Sequence, residues 1–180
     1  MNKNNLPFLM LLMLFSSNAL LAQTENVFRV NFLNPGISYE KSLGKKMTLD
    51  TGIGFGYNAS YPSLAMNSEN GFQYMLAAFV DVQSRFYYNF EKRESKGKST
   101  LKNSGNFLAL RALYTGPDAV SNFERYDNNS FAFGPTWGLQ RAYSKLNVAF
   151  SMGPIYYFDT SGNSNWSPFW FELNLGINVN

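Results

Sequence analysis

The stretch Phe169-Trp-Phe-Glu-Leu-Asn-Leu-Gly-Ile-Asn-Val-Asn180 carries the decision on the fold. Phe169, Phe171, Leu173, Leu175, Ile177 and Val179 fall on one parity; Trp170, Glu172, Asn174, Gly176, Asn178 and Asn180 fall on the other. A period of two is the signature of a β-strand with one apolar and one polar face. The stretch also has about the length, roughly 9–11 residues, at which a tilted strand crosses a bilayer. It reads as the closing strand of a transmembrane β-barrel.

Toward the N-terminus the same alternation recurs. Leu146, Val148, Phe150, Met152, Tyr156 and Phe158 oppose Asn147, Ala149, Ser151 and Gly153, and Phe131, Phe133, Trp137 and Leu139 oppose Ala132, Gly134, Thr136, Gly138 and Gln140. A less regular strand covers Phe107 to Tyr114. The longest is expected from Phe72 to Phe90, with Tyr74, Leu76, Val80, Val82, Phe86, Tyr88 and Phe90 on one face and Asp81, Gln83, Arg85 and Asn89 on the other. Met47, Leu49, Ile53, Phe55 and Tyr57 alternate with Thr48, Asp50, Gly52, Gly54 and Gly56. Near the start, Phe28, Val30 and Phe32 share a face until Asn34-Pro35-Gly36, after which the apolar parity switches to Ile37 and Tyr39. A tight turn or a bulge produces such a switch. Counting selects the turn: with it there are eight strands, whose ends pair antiparallel, and bacterial single-chain membrane barrels have even strand numbers from eight upward. The expected fold is all-β, an eight-stranded antiparallel up-and-down transmembrane β-barrel.

Composition agrees. A chain of 180 residues suggests a single folded domain. It has no cysteine and no histidine, which removes disulfides, thiolate metal sites and the commonest general base. Aromatics make up 17% and charged residues only 15%, whereas a soluble surface carries roughly 25–35% charged residues. The pI near 9.0 comes from basic residues gathered in turns, with no nucleic-acid motif among them. Residues 1–22 read as a secretory signal, with Lys3, the apolar run Leu6 to Phe15 and a cleavage region ending at Ala22. The barrel domain is expected over 23–180.

Volume decides which face points inward. The apolar parity holds more large side chains than an eight-stranded interior can take, since that interior is just filled by a few layers. The opposite parity is rich in Gly, Ala and Ser, so the large residues are expected to face lipid. The connections after the second, fourth and sixth strands collect Lys41, Lys45, Lys46, Lys92, Arg93, Lys96, Lys98, Lys102, Arg141 and Lys145 against Glu91 and Glu94; the alternate ones collect Glu69, Asp118, Glu124, Asp127 and Asp159 against Arg125. Both termini of an even-stranded barrel lie on the periplasmic side, so the basic set is expected there. Tyr57, Tyr88, Phe90, Tyr156, Phe158 and Phe169 are placed for interfacial girdles.

The segments Asn34-Pro-Gly-Ile-Ser-Tyr-Glu40, Arg85-Phe-Tyr-Tyr-Asn89 with Gly97-Lys98, and Gly134-Pro-Thr-Trp-Gly-Leu-Gln140 resemble small outer-membrane β-barrel proteins of the Bacteroidota type, within the broader OmpA-like and porin-like small barrels. The resemblance spans the whole mature chain and implies an outer-membrane location. Its motifs are strand and turn patterns, so it implies no catalytic, cofactor-binding or metal site. Gly52-Ile-Gly-Phe-Gly56 lies within a strand and opens no helix, which argues against a phosphate loop.

The inward-facing charges are Arg29, Glu40, Asp50, Asp81, Arg85, Arg111 and Glu172. Buried charges must be paired, so these are expected as a structural ion network in the lumen rather than an acid–base pair. The run Lys92, Arg93, Lys96, Lys98 and Lys102 is a candidate surface for an anionic periplasmic partner, although such runs are commonly plain solvated turns. Lipid is the other expected partner, and a monomer the expected state. Two functional readings follow: a non-enzymatic barrel with a filled lumen and a structural or surface-interaction role through its outward loops, or a minimal channel or carrier for a small or lipidic molecule.

Overall fold

The structure, a computed structural model, describes residues 24–58 and 74–179, with backbone alone for Tyr57 and Asn58. The expected signal segment 1–22, the tract 59–73, the Tyr57 side chain and Asn180 lie outside the described residues. The elements are β1 (Val27–Asn31), β2 (Gly36–Ser42), β3 (Met47–Asn58), β4 (Met75–Tyr87), α1 (Phe90–Glu94), a 3-10 turn (Leu101–Asn103), β5 (Asn106–Ser121), β6 (Ser130–Tyr143), β7 (Leu146–Asp159) and β8 (Ser164–Asn178). The eight strands follow one another around one antiparallel sheet, and β8 returns to pair with β1. The sheet closes into a ring.

Asn34-Pro35-Gly36 belongs to a turn, not a bulge: β1 and β2 pair antiparallel from Val27↔Glu40 to Asn31↔Gly36. The parity switch seen in the sequence thus moves the inward set from Arg29 and Asn31 to Ser38 and Glu40. Leu108 and Leu110 are 53% and 63% exposed while Arg111 between them and Leu113 is 3% exposed. This contrast, polar groups inside and large apolar groups outside, repeats around the ring.

Several expectations need correction. Phe90 is not on the outer face; β4 ends at Tyr87, and Phe90 opens α1 with its ring buried, stacked on Tyr87 at 4.7 Å. The connection 91–106 is not a plain turn. Beyond the end of α1 at Glu94, Gly97 takes φ +65°, in the left-handed region that favours glycine, and Lys98 N–H donates back to the Arg93 carbonyl. The chain then returns under the ring, burying Asn103 and Ser104. The tract 115–121, expected as loop, continues β5, and 164–168 begins β8 early. In both strands the register against the neighbour shifts. Such bulges reverse the parity along one strand, which hides its continuation from a period-two count. Lys41 and Arg141, both expected in turns, lie within β2 and β6.

The inward glycines serve two ends. A Cβ on Gly134 would sit 2.3 Å from the Pro154 carbonyl oxygen, and one on Gly153 would sit 2.3 Å from that of Pro135. Two facing prolines supply no N–H to the ladder, and the paired glycines let the backbones approach. Gly138 instead makes room in the interior: its Cβ would strike the Phe107 ring at 2.3 Å.

Three layers fill the ring. At the end where β1 begins, Tyr87, Phe90, Phe107 and Ala109 form an apolar cluster. Toward the other end, Leu113, Ala132, Ile155 and Tyr157 pack with Phe79 and Trp170, followed by Met75, Ala77 and Phe123. Charged groups lie between. The expected interior of small and polar residues is corrected accordingly, since its two outer layers are largely apolar. The connections 43–46, 88–105 and 144–145 lie at the β1 end, where Thr24 Oγ1 bonds to the Gly44 carbonyl at 2.5 Å and Asn178 N–H to the Lys145 carbonyl at 2.7 Å.

Candidate functional site

The strand period delivers charged side chains from β1, β2, β3, β4, β5 and β8 to the interior, and the closed sheet brings them together. Arg29 from β1 donates to Glu40 of β2 at 2.5 Å and lies 3.5 Å from Asp50 of β3. Arg85 from β4 meets Asp50 at 2.8 Å and Glu40 at 3.8 Å. These four form a neutral group. Glu40 is fully buried. It accepts from Thr48 Oγ1 at 2.6 Å, Tyr87 Oη at 2.7 Å and Gln140 Nε2 at 3.2 Å. Such saturation is what a carboxylate removed from water requires. Arg85 also lies over the Phe107 ring, 4.7 Å from its centroid.

Arg111 from β5 forms a second group. Its Nε donates to Asp81 at 2.7 Å, its Nη1 pairs with Glu172 of β8, and its guanidinium lies 4.0 Å from the centre of the Trp170 ring. One cation against two carboxylates leaves this trio with a formal charge of −1. Gln83 joins the two groups, donating to Asp81 at 2.6 Å and accepting from Arg85 Nε at 3.0 Å.

All seven charges singled out in the sequence meet in these two groups. Arg85 and Arg111 sit at neighbouring depths, since Arg85 pairs with Ala109 and Arg111 with Gln83, and Gln83 with its carboxylate neighbours separates them. Tyr87, Thr48, Gln140 and Trp170 complete the network and were not singled out. Parity placed Thr48, Gln140 and Trp170 on the inner face, and Tyr87 shares the parity of Arg85. An aromatic among polar residues carries no sign of its own that it faces inward.

Two spaces adjoin the trio. One of about 40 Å³ lies among Asp50, Asp81, Gln83, Arg85, Phe107 and Glu172, room for about one water. The other, about 300 Å³, is lined by Leu33, Asn34, Gly56, Phe79, Arg111, Leu113, Trp170, Phe171, Glu172 and Leu173. Glu172 and Phe79 border both. Toward the β1 end the interior is closed by Tyr87, Phe90 and Phe107, and beneath them Gln140 Nε2 donates to the Lys102 and Asn103 carbonyls.

The basic run divides. Lys92, Lys96 and Lys98 are exposed, whereas Arg93 donates to the Ser99 carbonyl at 2.8 Å and Lys102 lies 3.7 Å from Glu25. At the opposite end Asp118 pairs with Arg125 at 3.2 Å, and Asp159 is buried against Asn163.

Comparison with protein-family models, with curated proteins and with solved structures gives no match for this chain.

Proposed function

We propose that the chain is a bacterial outer-membrane β-barrel, of the kind its strand and turn motifs resemble, with a side-chain-filled lumen. Its role on this reading is non-enzymatic: structural, or surface interaction through the loops away from the basic end. One observation carries it. The ring exposes large apolar side chains along strand after strand, Leu110, Ile53, Phe171 and Phe133 among them, while Arg29, Glu40, Arg85 and Arg111 are 6% exposed or less. A soluble monomer rarely exposes a contiguous apolar patch beyond a few hundred Å²; a membrane barrel requires an apolar belt. No described helix is long and apolar enough to cross a membrane, so strands alone would span it. The basic end would face the periplasm.

On this reading the expressed protein fractionates with the outer membrane and migrates faster on gels unboiled than boiled. Recovery as a soluble monomer without a heat-dependent shift overturns it.

The 300 Å³ cavity favours a second reading, a carrier or receptor for a small or lipidic molecule. That space is closed toward the basic end, so it supports binding from one side rather than conduction through the ring.

A further inference from the structure

The 300 Å³ cavity exists because one hairpin is short. β1 and β2 stop at the Asn31↔Gly36 pair, level with Gly176 of β8 and Gly54 of β3. β3 continues to Asn58, and β8 has already run from Ser164. The last backbone bonds across these seams are Phe32 N–H to the Leu175 carbonyl and Phe55 N–H to the Pro35 carbonyl. Beyond them, among the described residues, β8 from Ser164 to Asn174 pairs only with β7, and the end of β3 pairs only with β4. Among the described residues the wall therefore has a gap above the turn at Leu33 and Asn34, and the cavity lies behind it.

The gap is apolar outside and charged within. Phe169 and Phe171, at 78% and 74% exposed, are the most exposed of the large hydrophobics on β8, and Leu173 follows at 49%. Inside, Phe79, Leu113 and Trp170 line the walls, and Glu172 stands where cavity and lumen meet. The Arg111 side chain is 3% exposed and engaged by two carboxylates and the Trp170 face, whereas the Glu172 side chain retains 19% exposure. Among the described residues Glu172 Oε1 accepts a long contact of 3.4 Å from Asn34 Nδ2. The trio's uncompensated charge is negative, and Glu172 is its accessible member.

We infer that this gap is a lateral binding site for an amphiphile with a cationic ammonium headgroup. Its apolar chain lies across Phe171 and Leu173 and its head enters to Glu172. An anionic head would meet the excess carboxylate, with the guanidinium of Arg111 already occupied. This inference rests on the membrane-barrel reading and deepens the binding alternative within it.

The full mature chain in maltoside micelles, reporting through tryptophan fluorescence, tests it with two nitroxide-labelled probes of equal alkyl length. One carries a trimethylammonium head and the other a sulfonate. The ammonium probe is expected to quench saturably, with about tenfold tighter binding than the sulfonate, a margin in line with the coulombic difference between opposite and like charge at one partly exposed carboxylate. Trp170→Phe should remove most of the saturable quenching, and Glu172→Gln should remove the preference between heads. Leu33→Phe, which narrows the mouth without touching the trio or adding a fluorescent reporter, should weaken both probes. Equal quenching by the two probes in the parent protein, or a preference that survives Glu172→Gln, overturns the proposal; that comparison in the parent needs no variant to fold. A protein that retains its heat-dependent gel shift but shows no head preference fails this inference alone. Loss of the shift fails the membrane reading itself.

Discussion

Arg111 concentrates the energetics of the interior at a single residue. It bridges β4 and β8 through Asp81 and Glu172 and carries Trp170 on its face. Removing one member of a buried ionic set costs about 3–5 kcal/mol, because the partners stay buried without compensation. Arg111→Leu would leave two carboxylates facing each other. It is expected to lower the urea midpoint far more than Lys98→Leu, whose side chain is exposed; equal resistance of the two variants would show that the network contributes little. Gly134 and Gly153 are constrained for a different reason, a backbone oxygen at 2.3 Å from any added Cβ. No rotamer change relieves such a contact.

At the scale of elements, the connection between β4 and β5 is a closing piece rather than a tether. It places Phe90 under Tyr87 and Phe107, and Asn103 bonds in both directions with Glu25, donating to its carbonyl at 2.9 Å and accepting from its N–H at 2.7 Å. If the basic end faces the periplasm, a tag inserted beside Lys98 stays unlabelled on intact cells and becomes labelled after permeabilisation. Labelling of intact cells would invert the orientation. At the other end Asp127 latches the loop 122–129 to the β7–β8 turn, accepting from Thr160 Oγ1, from Thr160 N–H at 3.0 Å and from Asn129 N–H at 2.9 Å. The Thr160 hydroxyl foremost, then the Asn129 amide, hold its carboxyl below the ordinary carboxylate value. A depressed value stabilises the latch above the unfolded value and loses that stabilisation as pH falls through the folded one. Amide protection of 122–129, corrected for the intrinsic rate at each pH, is therefore expected at neutral pH and lost in acid. Asp127→Asn should reduce it throughout, and pH-independent protection would remove the latch.

Across the whole molecule, the ring holds an apolar layer, an ionic layer and a second apolar layer in series, with room for about one water between Asp81 and Phe107. A continuous aqueous path would have to displace Tyr87, Phe90 and Phe107, all of them 1% exposed or less. The reconstituted protein is accordingly expected to give no steady single-channel conductance in a planar bilayer, and stable openings would refute the filled lumen. The same closure denies a ligand entry from the basic end.

The strand period, the eight-strand count and the inward parity of Arg29, Glu40, Asp50, Asp81, Arg85, Arg111 and Glu172 were all legible in the amino-acid order. Each depends on the local rule that successive side chains of a strand point to opposite faces. The turn at Asn34-Pro35-Gly36 was legible for a similar reason, because proline and glycine punctuate the chain locally. The pairings were not. Glu40 meets Gln140 one hundred positions away, and only closure of β8 onto β1 brings Glu172 to Arg111. Phe90 read as one more outward aromatic, since nothing in its own neighbourhood announces the space that Tyr87 and Phe107 leave beneath them. The bulges in β5 and β8 reverse parity through contacts with β4 and β7, so the strand beyond each bulge, 115–121 and 164–168, read as loop. The lateral cavity is the furthest from the sequence: it is a difference in length between a hairpin and the strands beside it, and it exists only once all of them stand in one wall.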